Sequence, residues 1–284
     1  MYKEINMKRV DYVFDGLDLE KAYKRTNELA ISAHEDDIEF MAYAGISKCF
    51  NNNNRWFSAV VVTDGAGSAR TNDYASYTDQ EMIEVRIKEQ IKASHIGEYG
   101  FTSLLGYSSK EVKDYSNDKI TLEIKDILEK SLPEIVYTHN PADKHDTHVA
   151  TMLKVLKAIR MLPKDKHPKK VLGCEVWRCL DWVNDEDKVT LDCSKSNNLE
   201  ASLMGVFDSQ ISGGKRYDEA VIGRRRANAT FGDAHSVDEY TGVNYAIDLT
   251  PLILDDDLSI TDYIVTYIDG FKNTVIGTLD RLQK

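Results

Sequence analysis

The sequence predicts an α/β fold, Rossmann-like, with a mostly parallel sheet and helices on both faces. Three observations carry that expectation. Short apolar runs alternate with longer helical stretches, as in repeated strand–helix units. A length of 284 residues with 42% hydrophobic content supports one large core. Two clusters of histidine and carboxylate follow directly on apolar runs, where an open α/β sheet binds its ligands.

Residues 1–27 are polar and mixed, with a helix expected near Asp18–Asn27. Leu29–Ser32 reads as the first core strand. From Asp37 to about Phe50 a helix is expected, with Ile38, Met41, Ala42 and Ile46 spaced for one face. Asn51-Asn52-Asn53-Asn54 is a turn. Trp56–Thr63 is a strand, ended by the tight turn Asp64-Gly65-Ala66-Gly67. Gln80–Ile96 is a long helix carrying Met82, Ile83, Ile87 and Ile91, stopped by Gly97. Phe101–Leu105 is a third strand, Ile120–Ser131 a helix and Ile135–Thr138 a fourth strand. Asp143 reads as the N-cap of a helix running to about Met161, with Pro141 just upstream. Past residue 170 the pattern changes. Val171–Trp177 and Thr190–Asp192 read as strands, Leu199–Asp208 as a helix, and Ser209–Tyr240 as a polar, Gly-containing segment. The last helix is Ile260–Leu282. Its Ile260, Tyr263, Ile264 and Tyr267 lie on related faces, to close the core or to serve an interface. The chain, 1–284, is read as a single domain whose residues 241–284 form a helical C-terminal extension.

The net charge of -11 speaks against a nucleic-acid partner, which would meet a basic field. The dense basic spot, Arg224-Arg225-Arg226, reads as a solvated surface turn. No apolar run reaches the roughly 18–20 residues of a membrane span, and Met1-Tyr2-Lys3-Glu4 lacks the apolar core of a signal peptide. Cys49, Cys174, Cys179 and Cys193 have no CxxC spacing and read as reduced thiols. A cytoplasmic protein is expected.

The chemistry concentrates in two places. Ala33-His34-Glu35-Asp36-Asp37-Ile38-Glu39 follows the first strand. Tyr137-Thr138-His139-Asn140-Pro141-Ala142-Asp143-Lys144-His145-Asp146-Thr147-His148 follows the fourth. His34 and Asp37, three apart across a strand-to-helix turn, can chelate one ion, and His148 supplies a third ligand from its helix. Zn2+ takes such nitrogen and carboxylate donors and keeps an open position for water. Fe2+ accepts a similar two-histidine, one-carboxylate set. His145 lies on the same face as His148 and points at the open side. Asp36 projects differently from Asp37 and is the candidate base. Tyr137, directly preceding the second cluster, is a candidate substrate-lining residue. A phosphoesterase would want a second metal, for which ligands near the motifs are too few. Gly65-Ala66-Gly67 lacks the third glycine of a dinucleotide loop. Trp56 reads as core, and so do Trp177 and Trp182, although these two flank a loop that can cover the site.

The two clusters resemble the motifs of the PIG-L/LmbE-like deacetylases, zinc-dependent enzymes acting on N-acetylglucosaminyl compounds. The first motif, AHPDD with a following glutamate, stands here as Ala33-His34-Glu35-Asp36-Asp37 with Glu39. The second stands as His139-Asn140-Pro141 and His145-Asp146-Thr147-His148. Val62-Thr63-Asp64-Gly65, Arg86-Ile87-Lys88-Glu89, Glu175-Val176-Trp177-Arg178 and Ser209-Gln210 are similar to further family segments, so the resemblance covers about 28–240. It implies His34, Asp37 and His148 as metal ligands and Asp36 as general base. It implies His145 as the histidine that steadies the oxyanion, and Arg86 as a substrate contact. The activity implied is removal of an N-acetyl group from an amino sugar or glycoconjugate, with a homo-oligomer as a frequent assembly. Two departures stand out. Glu35 replaces the usual proline, and Gly106-Tyr107-Ser108-Ser109 lacks the aspartate that many members use for sugar hydroxyls. They motivate an alternative, a non-catalytic glycan- or metabolite-binding protein that retains the fold.

Overall fold

A computed structural model describes residues 9–232 and 234–284; the first eight residues of the polar N-terminal stretch and Asp233 lie outside the described residues. Among the described residues eight strands form one sheet: β1 (Val10–Tyr12), β2 (Thr26–Ser32), β3 (Trp56–Thr63), β4 (Thr102–Tyr107), β5 (Ile135–His139), β6 (Lys170–Cys174), β7 (Val189–Asp192) and β8 (Val243–Asp248). Their order is β1-β4-β3-β2-β5-β6-β8-β7. The five central strands, β4 to β6 across the sheet, pair in parallel; β1 and β8 pair antiparallel with their neighbours.

The parallel strands are buried on both faces, so they read as continuous apolar runs. Alternate residues nevertheless serve different cores. Leu29, Ile31, Val60 and Val62 pack on one side with Ile124, Leu128, Val155 and Ile159. These come from α6 (Asp118–Ser131) and α7 (Asp146–Arg160). Ala30, Ala59 and Val61 pack on the other side with Ile38, Ile46, Ala93 and Leu203. Those belong to α2 (Asp37–Met41), α3 (Tyr43–Cys49), α4 (Asp79–Ile96) and α8 (Asn197–Gly205). The long α4 begins with a capping box, in which the Thr78 side chain and Glu81 satisfy each other's backbone N–H.

The chain leaves β2 toward β3 and β4 on one side and returns through β5 and β6 on the other. The β2–β5 pair is therefore the switch point, with Ala30 opposite Tyr137. Beyond it the following segments diverge and leave a crevice.

Several elements differ from the sequence expectation. The helix expected over 37–50 breaks at Ala42, whose φ of -118° leaves helical space. The turn lets α3 press Gly45 onto the sheet, where an added Cβ would lie 2.9 Å from Glu28 Oε2 and 3.0 Å from Tyr137. The cap of α7 is His145, not Asp143: the His145 ring accepts the Thr147 N–H. Residues 241–284 are not purely helical, because β8 enters the sheet between β6 and β7. The polar segment 209–240 holds α9 (Asp208–Ile211) and the 15-residue α10 (Tyr217–Phe231). The remaining helices are α1 (Leu19–Lys24), α5 (Ser109–Lys113), α11 (Pro251–Leu254) and α12 (Ile260–Leu282). Among the described residues no helix is long and apolar enough to cross a membrane.

The arginine run lies on α10 and is not a solvated turn. Arg225 is 1% exposed and ion-pairs with Glu200 at 2.9 Å. It also donates to Asn244 Oδ1 at 2.7 Å and to the Glu39 carbonyl at 2.6 Å, at the end of α2. Arg226 takes the other oxygen of Glu200. Removing one partner of a buried pair strands the other charge. Arg225→Ala is accordingly expected to destabilise the fold by about 3–5 kcal/mol, read as a lower denaturation midpoint in urea. An unchanged midpoint would show that this network is not holding α10 to the body.

Candidate metal centre

The centre begins where β2 ends. The His34 backbone N–H donates to Asp37 Oδ2 at 2.8 Å and folds the first turn of α2 back on the strand. This turn forces Asp36 to a φ of 92°, a conformation that costs a non-glycine residue on the order of 1–3 kcal/mol and is characteristic of functional turns. From the neighbouring strand end, the buried His139 ring accepts the Ala33 N–H through Nε2 at 2.9 Å. That bond locks β2 to β5 just below the centre. It also commits the Nε2 lone pair of His139.

Three donor atoms then face one another. His34 Nδ1 lies 3.2 Å from Asp37 Oδ2 and 3.1 Å from His148 Nε2, and His148 Nε2 lies 3.3 Å from Asp37 Oδ2. A tetrahedral ion with bonds of about 2.0–2.1 Å sets its ligand atoms about 3.3–3.4 Å apart. The triangle fits such an ion on all three edges. Two imidazole lone pairs 3.1 Å apart repel each other unless a proton or a cation sits between them. Two wider groupings overlap the triangle: His34, His145 and His148 offer nitrogens within 4.8 Å of one another, and Asp37, His139 and His148 offer a carboxylate oxygen and two nitrogens within the same distance. The donor set suits zinc, and equally other divalent ions that accept imidazole and carboxylate.

Behind His148 stands Asp143, whose Oδ2 is 3.5 Å from His148 Nδ1. A carboxylate at that distance favours the tautomer with its hydrogen on Nδ1, which leaves the Nε2 lone pair for a metal. The same carboxylate accepts the N–H groups of His145 at 3.1 Å and Trp177 at 3.1 Å. Asp143 was expected as a cap, and its position behind His148 was not foreseen. The D-x-H-x-x-H spacing over 143–148 was the available signal.

The neighbours of the triangle have contrasting electrostatics. Burial pushes the Asp37 carboxyl up, but the surrounding His148, His34 and His139 outweigh it and hold it well below its ordinary value. Burial lifts Asp36 to about 6, against the pull of Arg86. Burial, with His34 and His148 nearby, lowers His145 to about 4. His145 Nδ1 accepts the Thr147 N–H, so in the neutral ring Nε2 carries the hydrogen.

Arg86 and Tyr137 are placed differently from each other. Arg86 is 1% exposed and borders the cavity, but its guanidinium is already committed. It donates to Asp36 Oδ2 at 2.8 Å, to Glu89 at 3.0 Å, and to the Glu35 carbonyl. Its evident task is to hold Asp36. Tyr137 does not line the cavity; it is buried under the sheet and donates to Glu28 Oε2 at 2.7 Å. As a β5 residue between two core layers it faces α3, which excludes it from substrate contact. Glu35 turns inward, 3.7 Å from Arg86 Nε, and burial lifts its carboxyl to about 7. Gly65, at a φ of 71°, makes room for this packing: a Cβ there would sit 2.7 Å from Glu35 Oε2.

Over the centre opens a cavity of about 280 Å³. His34, Asp36, Asp37 and His145 form its floor, and Gly65–Ala69, Ser109 and Lys113 line one side. Phe40, Trp177 and Tyr217 give it an aromatic wall, with Tyr217 edge-on to Phe40 at 5.3 Å and to Trp177 at 5.9 Å. Phe40 and Tyr217 were not anticipated. Trp182 packs on the core instead.

Over part of its length the chain is similar to known deacetylases. Residues 29–159 match the model of the PIG-L family, described as GlcNAc-PI de-N-acetylase. The uncharacterized deacetylase YaiS of Escherichia coli (strain K12) is 28% identical over 160 residues, 55% of this chain and 80% of that protein. Among solved structures, the N,N'-diacetylchitobiose deacetylase of Pyrococcus horikoshii is 19% identical with a TM-score of 0.58, covering 81% of this chain and 87% of its own. GalB, the 4-carboxy-2-hydroxymuconate hydratase of Pseudomonas putida KT2440, is 17% identical with a TM-score of 0.59, covering 79% and 96%. At these identities the two structures speak for the fold alone.

Asp143→Asn keeps one of the two oxygens that accept backbone N–H groups, replaces the other with an NH2 donor, and removes the charge behind His148. It is expected to weaken zinc binding about 10–100-fold with the fold intact, measured by chelator competition. Unchanged affinity would show that Asp143 does not orient a ligand.

Proposed function

We propose that the protein is a metal-dependent N-deacetylase acting on an N-acetylated amino sugar or glycoconjugate, with His34, Asp37 and His148 holding the metal. The observation that carries this reading is the donor triangle of 3.1–3.3 Å with Asp36 beside it at the floor of an open cavity. Zn2+ is the first candidate and Fe2+ the second. When bound, such an ion polarises an acyl oxygen and lowers the pKa of water.

The chain's own residues account for the rest. Arg86 takes Asp36 Oδ2, which leaves Oδ1 to accept a proton from the attacking water. The same oxygen then returns the proton to the departing amine nitrogen. His145, neutral and hydrogen-bearing at Nε2, donates to the amide oxygen as it gains negative charge, a contribution of about 3–4 kcal/mol for a well-placed donor. The aromatic wall of Phe40, Trp177 and Tyr217 offers faces on which a sugar ring can stack. In place of the expected aspartate for sugar hydroxyls, Ser109 and Lys113 stand at the cavity side.

Metal content and acetate release from a panel of N-acetylated sugars, on wild type and Asp36→Asn, test the proposal. Asp36→Asn is expected to retain metal and lose about 10²–10⁴-fold in turnover. Full activity in that variant would remove Asp36 from the chemistry. Bound metal in the wild type with no acetate from any sugar would favour the binding-protein alternative.

A further inference from the structure

The peptide unit between Glu35 and Asp36 is gripped at both of its polar ends by one helix. Its carbonyl accepts from Arg86 Nη2, and its N–H, on Asp36, donates to Gln90 Oε1 at 3.3 Å. Arg86 and Gln90 stand four apart on α4 and so share a face. The two grips act where the backbone is strained. With its φ at 92°, Asp36 would relax if this peptide turned over, which would exchange the directions of the carbonyl and the N–H. A turned peptide would aim the Glu35 carbonyl at the Gln90 oxygen and the Asp36 N–H at the Arg86 guanidinium. Acceptor would then face acceptor, and donor would face donor.

The carboxamide of Gln90 is itself fixed. Gln90 is fully buried, and its Nε2 donates to Glu39 Oε1 at 2.9 Å. The same carboxyl oxygen accepts the hydroxyl of the buried Tyr99 at 2.7 Å. With its nitrogen committed there, the amide can offer Asp36 only its oxygen. Both bonds of the side chain thus go to the segment that follows β2, at Asp36 and at Glu39. Met82 and Ala93, buried on the same helix, fill space without polar atoms. A residue present for packing alone would do the same, because a buried polar group must find partners.

We propose that Gln90 is a positioning residue for Asp36. Together with Arg86 it locks the Glu35–Asp36 peptide in the strained conformation that holds the Asp36 carboxylate at the cavity floor, and this rests on the reading of Asp36 as the general base. The two residues divide the task. Arg86 holds the carboxylate and the carbonyl end of the peptide, while Gln90 holds the N–H end. Asp37 has a separate anchor in the His34 N–H, so the donor triangle does not depend on Gln90.

Gln90→Met keeps the length of the side chain and removes both hydrogen bonds. In the zinc-loaded protein, hydrogen exchange at the Asp36 amide, followed by NMR, is expected to speed up at least about tenfold, with the other amides of α4 unchanged. Turnover is expected to fall about 10–100-fold, with KM and zinc affinity within about twofold of wild type. In an Asp36→Asn background the same change is expected to cost less than about twofold, because it acts only through that carboxylate. Gln90→Glu sets a second carboxyl against Glu39 and is expected to lose turnover likewise. Adding Glu39→Gln restores a donor and an acceptor between the two and is expected to return turnover to within about threefold of wild type. This swap decides the matter should Gln90→Met not fold. Full turnover in Gln90→Met, beside a loss in Asp36→Asn, would overturn the proposal. So would an equal loss in the Asp36→Asn background, an Asp36 amide that exchanges as slowly as in wild type, or a swap that recovers nothing. Full activity in Asp36→Asn would overturn the reading of Asp36 as base, and the proposal with it, whatever the amide exchange shows.

Discussion

Oδ2 of Asp37 lies 2.8 Å from the backbone nitrogen of His34 and 3.2, 3.3 and 3.5 Å from ring nitrogens of His34, His148 and His139. A carboxyl this deeply buried would ordinarily stay protonated. Here the His34 backbone N–H and the imidazoles of His148, His34 and His139 hold it well below its ordinary value, so the site is arranged around a negative charge that a divalent cation would neutralise. The fold makes this convergence available. At the β2–β5 boundary two adjacent parallel strands send their following helices to opposite faces of the sheet. One strand end delivers His34 and Asp37, and the other delivers His139 and, one short loop later, His148.

Arg86 plays the complementary part on the other side of the turn. One buried guanidinium faces Asp36, Glu89 and Glu35 and also bonds the Glu35 carbonyl. It thereby clamps the strained backbone at Asp36, and Glu89 passes the restraint to the Ser209 N–H and hydroxyl at 2.7 Å each. The α9 segment is thus tied to the turn at Asp36 through α4. Glu35, which stands where the resembled motif has proline, does not stand over the donor triangle. It is tucked beneath Gly65 with Oε2 3.7 Å from Arg86 Nε, and burial lifts its carboxyl to about 7.

The centre of the sheet and the two motifs were legible in the sequence because they are local. Apolar runs such as Trp56–Thr63 are strands whichever neighbours they find, and a histidine cluster after a strand has few other uses. What was not legible depends on long-range partners. β8 is a strand because β6 and β7 flank it, and its six residues carry no stronger signal than many loops. The Arg224–Arg226 run looks solvated until Glu200, Asn244 and the end of α2 are brought to it. Tyr137 sits beside the motif in sequence, yet the alternation of a strand turns it to the opposite core from Val136. Asp143 has the composition of a cap, and only the fold reveals that His148 stands before it.

The fold does not choose the chemistry by itself, since a hydratase and a deacetylase share it at similar likeness to this chain. The account therefore rests on the donor triangle. X-ray absorption at the metal edge, on protein supplied with zinc and dialysed, examines it most directly. The account predicts about one zinc per chain bound by two imidazole nitrogens and a carboxylate oxygen at about 2.0–2.1 Å, with the signal lost in Asp37→Ala. Failure of the wild type to retain zinc, or a coordination shell unchanged in Asp37→Ala, would contradict it.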